Sequence, residues 1–437
     1  MKHKLLLCAL SGLIALGGAL ALPAAGFAKD ESAKPNVVID WNQTMLQTLA
    51  AANVAAPPAV RDASIVQAAV FDAVNGIDRR YTPIHVAPAA PTGASRQAAA
   101  VEAAYTALAS LFPTQIPSLD AARSASMASL AGDDDSKSIA RGVQWGMTVA
   151  NQIVTWRSSD GFSSTLGTYP IVNAPGHWQP TPPGFSTNPA FRTLAITTPV
   201  AMTSPSEFRP AGPPALTSAR YTADFNEVKA WGGLTGSLRT PYQTETAKVW
   251  QLDTATAIWN RVADSLAAEH HMGLLASARL LALMNLSQLD AVIAVWEAKQ
   301  FFDRWRPITA IAQAASDGNP DTSPDPNWTP LLPTPVHQEY PSGHSGVSGA
   351  AATVLASFFG DGTSFTVTSN GVPGASRSFI SFSDALAQVA DARVFAGFHF
   401  RFSCEDASQM GTKAAKLVLT TLMLRSDEHG EGDDSND

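Results

Sequence analysis

Apolar residues recur at three- and four-residue intervals along most of the chain, the spacing of an amphipathic or buried α-helix. The pattern predicts helices over 58–74, 94–111, 117–130 and 137–156. It predicts more over 218–231, 245–271, 274–300, 346–359, 383–398 and 404–424. Asn75-Gly76 and Gly132-Asp133 supply stops between them. Residues 159–216 break the pattern. They are rich in Pro, Gly, Ser and Thr, yet carry Phe162, Tyr169, Trp178, Phe185, Phe191 and Phe208. So many aromatics are unusual in a disordered segment, so a long ordered loop packed across helices is predicted. Residues 360–378 are rich in Gly, Ser and Thr and predict a short hairpin or loop. The expected class is all-α: two packed helix bundles with long ordered loops, forming one domain over 29–426.

The two ends read differently. Lys2 and Lys4 precede an apolar stretch, followed by Pro23 and small residues to Ala28. This is the pattern of a signal peptide over 1–28, and it predicts a secreted or periplasmic protein. The last segment, 427–437, predicts a disordered acidic tail. Composition adds three constraints. With 45% hydrophobic and 15% charged residues, the chain can bury a large core. Cys8 lies in the leader, which leaves Cys404 alone and excludes a disulfide framework within the mature chain. The net charge of −8 argues against a nucleic-acid partner. The longest later apolar runs carry Arg279, Asp290 or Glu297, so no stable membrane insertion is expected once the leader is removed. No oligomeric interface is legible.

Candidate chemistry sits in three short C-terminal segments. The first is KQFFDRWRP, Lys299 to Pro307. Seven residues are nearly two helical turns, so a continuous helix ended by Pro307 would project Lys299 and Arg306 from one face. The second is YPSGH, Tyr340 to His344, just before a small-residue helix. Ser342, Gly343 and His344 would then sit at a helix N-terminus, where free N–H groups favour an anion. The third is ARVFAGFH, Ala392 to His399, which predicts Arg393 and His399 on one further helix. Arg offers a planar fork of donors, Lys a mobile charge, and His344 an acid or base near neutral pH. No carboxylate cluster suited to a metal cation accompanies them. The inventory suits a tetrahedral oxyanion such as phosphate or vanadate. Taken singly, each segment reads as a solvated helix face or turn; their order and strict spacing make the set specific. Elsewhere, His270-His271 reads as surface, and 133–135 (DDD) as a solvated turn. His177 reads as a structural hydrogen bonder and Asp290 as a helix-packing residue.

The three segments resemble the signature of the type 2 phosphatidic acid phosphatase superfamily. Within it the chain is similar to the vanadium-dependent haloperoxidases and their soluble bacterial relatives. Trp296 before Lys299, WRPITAI (305–311), HQEYPSGHS (337–345) and FHFRF (398–402) carry this resemblance. So do PGHWQPTPPGF (175–185), EFRPAGPPALTSARY (207–221) and LLALMNLSQLDAVIAVWEAK (280–299). The resemblance implies a haloperoxidase-like fold and a vanadate cofactor, with phosphate able to take the same site. By it, His399 would bond the vanadium, or become phosphorylated in a phosphatase. Lys299, Arg306 and Arg393 would neutralise the anion's oxygens, and Ser342 and Gly343 would donate to them. His344 would be the acid–base residue, and Trp296 and His337 would line the halide side. A His at 337 points to bromide or iodide over chloride.

One departure stands out. The superfamily pattern places Asp four residues after the last His, where this chain has Ser403; Glu405 and Asp406 are the nearby candidates to replace it. The Ser that precedes the last Arg in that pattern is Ala392 here. The function expected is vanadate-dependent oxidation of halide by hydrogen peroxide to hypohalous acid. The alternatives are a secreted acid phosphatase acting on phosphomonoesters through phospho-His399, and a non-catalytic oxyanion-binding protein, which Ser403 encourages.

Overall fold

The computed structural model describes residues 36–426, apart from residue 133. The expected signal peptide and acidic tail lie outside the described residues. Among those described are thirteen α-helices and one two-stranded hairpin. The architecture is all-α.

The organising element is α9, Leu274–Phe302, which is 29 residues long and buried along nearly its whole length. One side of it packs on α2, Ala56–Asp78, which contacts α3 (Arg96–Leu111) and α5 (Ser136–Ser158). The other side packs on α11, Gly343–Phe359, and α13, Arg401–Thr421. The two bundles therefore share α9. By length and hydropathy alone α9 could cross a membrane, which the charged positions had argued against. Its apolar residues are instead buried inside the protein on all sides, as in a core helix.

Acidic residues of α9 hold the long loop. Asp290 is fully buried and accepts from the backbone N–H groups of Val200, Ala201 and Met202 at 2.7–3.0 Å. Glu297 pairs with Arg209. At the helix end, Asp303 accepts from Tyr169 and contacts the His177 ring at 3.0 Å. The loop is thus ordered, as its aromatics imply, and contains one short 3-10 turn, Arg192–Ile196. Residues 360–378 hold all but the last residue of a hairpin: β1, Phe365–Thr368, pairs antiparallel with β2, Ser376–Phe379.

Several expectations need correction. A first helix, α1 (Val37–Ala51), was not predicted. The helix expected over 245–271 is two, α7 (Pro241–Gln251) and α8 (Ala255–Glu269). Thr254 caps α8 through its side chain, and that alternative hydrogen bond interrupts an otherwise helical pattern. Lys299 and Arg306 are not on one helix. The chain leaves α9 at Phe302 with Asp303 left-handed (φ 47), and Arg306 is the N-cap of α10, Pro307–Ala312. Pro307 begins a helix rather than ending one. His399 likewise lies off its helix: α12 is Phe382–Phe395, and Gly397 (φ 79) turns the chain toward α13.

A short polar chain joins α1, α2 and α8. Gln67 donates to Asn42 and Asn42 donates to Asp264, each at 2.8 Å. The other oxygen of Asp264 is buried without a partner. Burial pushes this carboxyl from 3.8 up to about 8, so the folded protein retains a proton there that the unfolded chain releases. The contribution to stability is complete below about pH 4 and is lost as pH rises through about 8. Asp264→Asn needs no proton. It is expected to flatten the decline of Tm across that window, and an unchanged slope in thermal melts would remove Asp264 as its source.

Candidate active site

Two helix N-termini meet at the site because α11 and α13 pack with almost no separation. A Cβ on Gly411 would lie 2.0 Å from the Gly346 carbonyl oxygen, and one on Gly349 would lie 2.5 Å from that of Ser408. Only glycine permits this approach. Ser342 is the N-cap of α11, with its Oγ accepting from Ser345. Gly343 and His344 are the first two helical residues, whose N–H groups have no acceptor within the helix. Ser342 N–H donates to the Ser403 carbonyl at 3.1 Å, which ties the start of α11 to the start of α13.

The segment 337–342 is threaded past the end of α9 and held there by cations. Lys299 Nζ donates to the carbonyls of Gln338 (2.8 Å) and Glu339 (3.0 Å). Arg306 donates to the carbonyls of His337 (2.8 Å) and Phe398 (2.9 Å). It also reaches His399 Nε2 at 3.2 Å and His337 Nδ1 at 3.0 Å. Arg393 donates to Gln251 Oε1 at 2.6 Å, while its Nε is buried without a partner. Lys299 and Arg306 are 0% exposed and Arg393 is 1% exposed.

These contacts assign the His399 imidazole. Arg306 can only donate, so His399 Nε2 is an acceptor. His399 therefore carries its proton on Nδ1, which donates to Glu339 Oε1 at 2.9 Å. Its Nε2 lone pair stands at the cavity wall. His337 Nδ1 stands between the Arg306 guanidinium at 3.0 Å and the Gln338 carbonyl at 3.1 Å, a donor and an acceptor. Trp296 packs beside it with ring centroids 5.1 Å apart, and Trp296 Nε1 donates to Ala190 of the long loop at 3.2 Å.

Electrostatics follow from burial among like charges. Burial, then Arg306, pulls Lys299 well below its ordinary value. Burial takes Arg306 to about 9 and Arg393 to about 10. His344 and His399 are held well below the usual histidine range, by burial first and then by the surrounding cations. Both are neutral bases at neutral pH. Burial pushes Glu339 up to about 7, against the pull of Arg306 and Lys299.

Trp296, His337, Gly343, His344, Arg393 and His399 line an inner cavity of about 350 Å³. Lys299, Arg306 and Ser342 stand behind this wall. A wider cleft of about 1010 Å³ between α1 and α8 adjoins it, with Ala55, Ala56, Gln251 and His344 common to both. The inner cavity thus brings all nine sequence-predicted site residues into its wall or the layer behind. Glu405 and Asp406 do not serve His399: Glu405 pairs with Arg220 and Asp406 accepts from Tyr340. Sequence reasoning missed Glu339 and Gln251. Glu339 was visible, a carboxylate three residues before Ser342; Gln251 left no signal, because it depends on where α7 stops.

The residues fit a bound oxyanion. Buried Arg393 Nε and His344 Nε2 have no protein partner, the N–H groups of Gly343 and His344 begin α11, and His399 Nε2 is held only by the 3.2 Å contact from Arg306. Three buried cations face one buried carboxylate, so charge balance calls for an anion. Among the described residues no group of three or more His, Cys, Asp and Glu side chains is arranged to hold a metal cation. Fold and site together define a helical protein whose buried cations and helix-start N–H groups fit an oxyanion.

Comparison with known proteins agrees. Residues 279–427 match the model of the second helical-bundle domain of vanadium chloroperoxidase. Over 244 residues the chain is 28% identical to the vanadium chloroperoxidase of Curvularia inaequalis, a match spanning 46% of this chain and 39% of that relative. Among solved structures, the first bacterial vanadium-dependent iodoperoxidase superposes with a TM-score of 0.78 at 24% identity, over 90% of this chain and 98% of the other. A holo-type bacterial vanadium-dependent chloroperoxidase gives 0.65 at 19% identity, over 83% and 91%. The chain is thus similar in sequence to vanadium chloroperoxidase over its C-terminal bundle and shares the fold of the bacterial vanadium-dependent haloperoxidases.

Gln251 holds Arg393 without neutralising it. Gln251→Glu would place a negative charge within a few Å of the bound anion. Vanadate affinity by calorimetry is expected to fall about 10- to 100-fold, with the fold intact by circular dichroism. Unchanged affinity would mean that Arg393 does not face the anion.

Proposed function

We propose that the protein is a vanadate-dependent haloperoxidase, oxidising bromide or iodide with hydrogen peroxide to hypohalous acid and water. The observation that carries this reading is the cluster of three buried cations around the His399 Nε2 lone pair, with neutral His344 at the same cavity. Lys299, Arg306, Arg393, Ser342 and the Gly343 N–H would hold vanadate, and His399 would bond it. Bound vanadate supplies Lewis-acid activation of peroxide toward two-electron oxidation of halide.

The protein's own part is positioning and proton transfer. His344, neutral and with Nε2 unpartnered, can take a proton from incoming peroxide and return it to the departing oxygen. His337 lines the cavity beside the Trp296 ring, an imidazole and a polarisable face suited to a large halide. The structural likeness to an iodoperoxidase supports the same preference. Burial of the cage keeps its hydrogen bonds strong and excludes water. The leader-like start of the sequence supports action outside the cytoplasm.

A phosphatase would use the same cage, with the His399 lone pair as nucleophile; the Nδ1–H tautomer is the observation favouring it. Bromide- or iodide-dependent halogenation of a phenolic dye, with peroxide and with or without orthovanadate, separates the two. Activity that requires vanadate and is competed by phosphate is expected. Hydrolysis of an aryl phosphate, inhibited by vanadate and without halogenation, would replace this reading with the phosphatase. Binding without either turnover would leave an oxyanion-binding protein.

His344→Ala is expected to keep vanadate affinity near that of the parent by calorimetry and to lower halogenation about 10²- to 10⁴-fold. Unchanged turnover would sink the acid–base role.

A further inference from the structure

We infer that Glu339 is the positioning residue for His399, and that it does from the 337–342 segment what the resemblance expects of a carboxylate at position 403. The inference rests on the oxyanion-cage reading of the site but not on which reaction the cage performs.

The geometry is specific. Glu339 is 0% exposed, and its Oε1 accepts both from His399 Nδ1 at 2.9 Å and from Phe400 N–H at 3.1 Å. One carboxylate oxygen therefore holds the ring and the backbone that follows it. Glu339 is itself fixed at two backbone atoms: its N–H donates to the Arg304 carbonyl at 2.9 Å, and its carbonyl accepts from Lys299. The side chain has little freedom to point elsewhere.

Ser403 lies on the same side of the ring. Its Oγ is 3.4 Å from His399 Nδ1 and 3.5 Å from the Glu339 carbonyl oxygen. At those distances the hydroxyl fills space next to the Glu339–His399 pair and adds little hydrogen-bond strength. An aspartate there reaches one bond further and would meet Nδ1 directly. Two carboxylates would then compete for one N–H inside a buried site, next to the place an anion occupies. The occupants of 339 and 403 are thus alternatives: a carboxylate serves at either, and two together repel.

The consequence is a reversal of sign. Without Glu339, imidazole loses the acceptor that keeps its proton on Nδ1. Only the 3.2 Å contact from Arg306 then still opposes a proton on Nε2, and the balance between the two tautomers shifts toward Nε2–H.

The test combines histidine ¹⁵N NMR of the full chain, which reads the His399 tautomer with no anion added, with vanadate titration calorimetry. In the parent protein His399 is expected as the Nδ1–H form. Glu339→Ala is expected to raise the Nε2–H fraction measurably, against the Arg306 contact, and to weaken vanadate binding about 10- to 100-fold. Adding Ser403→Asp to that variant is expected to restore Nδ1–H and to bring affinity back within about threefold of the parent. Glu339→Gln keeps an acceptor oxygen and the side-chain volume, and should retain the tautomer. Ser403→Asp alone, which leaves Glu339 in place, should weaken vanadate binding about tenfold or more.

An unchanged tautomer in Glu339→Ala would overturn the inference, as would failure of Ser403→Asp to restore it. If Glu339→Ala does not fold, the single Ser403→Asp variant decides: tighter vanadate binding would show that His399 had lacked a carboxylate partner. The expected tautomer pattern in a protein that binds neither vanadate nor phosphate would support Glu339 as the positioning residue and refute the cage reading.

Discussion

Three cations buried around a single carboxylate are the constraint that the rest of the site obeys. Lys299, Arg306 and Arg393 cannot be desolvated cheaply, and each has been given neutral oxygen partners instead of counter-ions. Those partners are mostly backbone carbonyls of residues 337–339 and 398, plus the amide of Gln251. Carbonyl dipoles stabilise the cations without cancelling their charge. The site therefore keeps a positive field for an anion while satisfying the donors that would otherwise be orphaned. The same contacts immobilise the 337–342 segment, so the binding charges are also its structural pins.

Around this arrangement the fold supplies two forms of rigidity. The close packing of α11 on α13 aligns two helix starts, and the long α9 delivers Trp296 and Lys299 from its last turns. The acidic residues of α9 hold the long loop against it, which places Ala190 and Phe191 at the cavity wall. Asp290 acts here as a clamp: three backbone N–H groups converge on one buried carboxylate. Function sits on loops and helix ends, but each is bolted to a core helix, an arrangement that keeps donors oriented toward an anion without reorganisation.

Much of this was legible in the residues. The helical class, the ordered character of 159–216 and the hairpin region at 360–378 follow from periodicity and composition. Small residues after Ser342 announced a helix start. The geometry assumed for the charged pairs was wrong, although the pairs converge. Regular helical spacing placed Lys299 with Arg306, and Arg393 with His399, on common helices. The chain instead turns at Asp303 and at Gly397, and brings Arg306 and His399 in from loops. Local pattern cannot show a left-handed residue such as Asp303, which is stabilised by Tyr169 and His177 from more than a hundred positions away.

By itself the sequence determined which groups carry the charge: three cations, three imidazoles and a Ser-Gly helix start, in an order specific enough to imply an oxyanion. It also contained Glu339, unremarked beside Tyr340. Tertiary structure alone decided how those groups are wired. It chose Glu339 over Glu405 and Asp406 as the partner of His399, set the proton of that ring, and brought Gln251 to Arg393. The physical reason is the range of the interactions. Helical periodicity and capping act over a few residues and are written locally. Hydrogen-bond partnership inside a buried cage depends on which distant segments the core packs side by side.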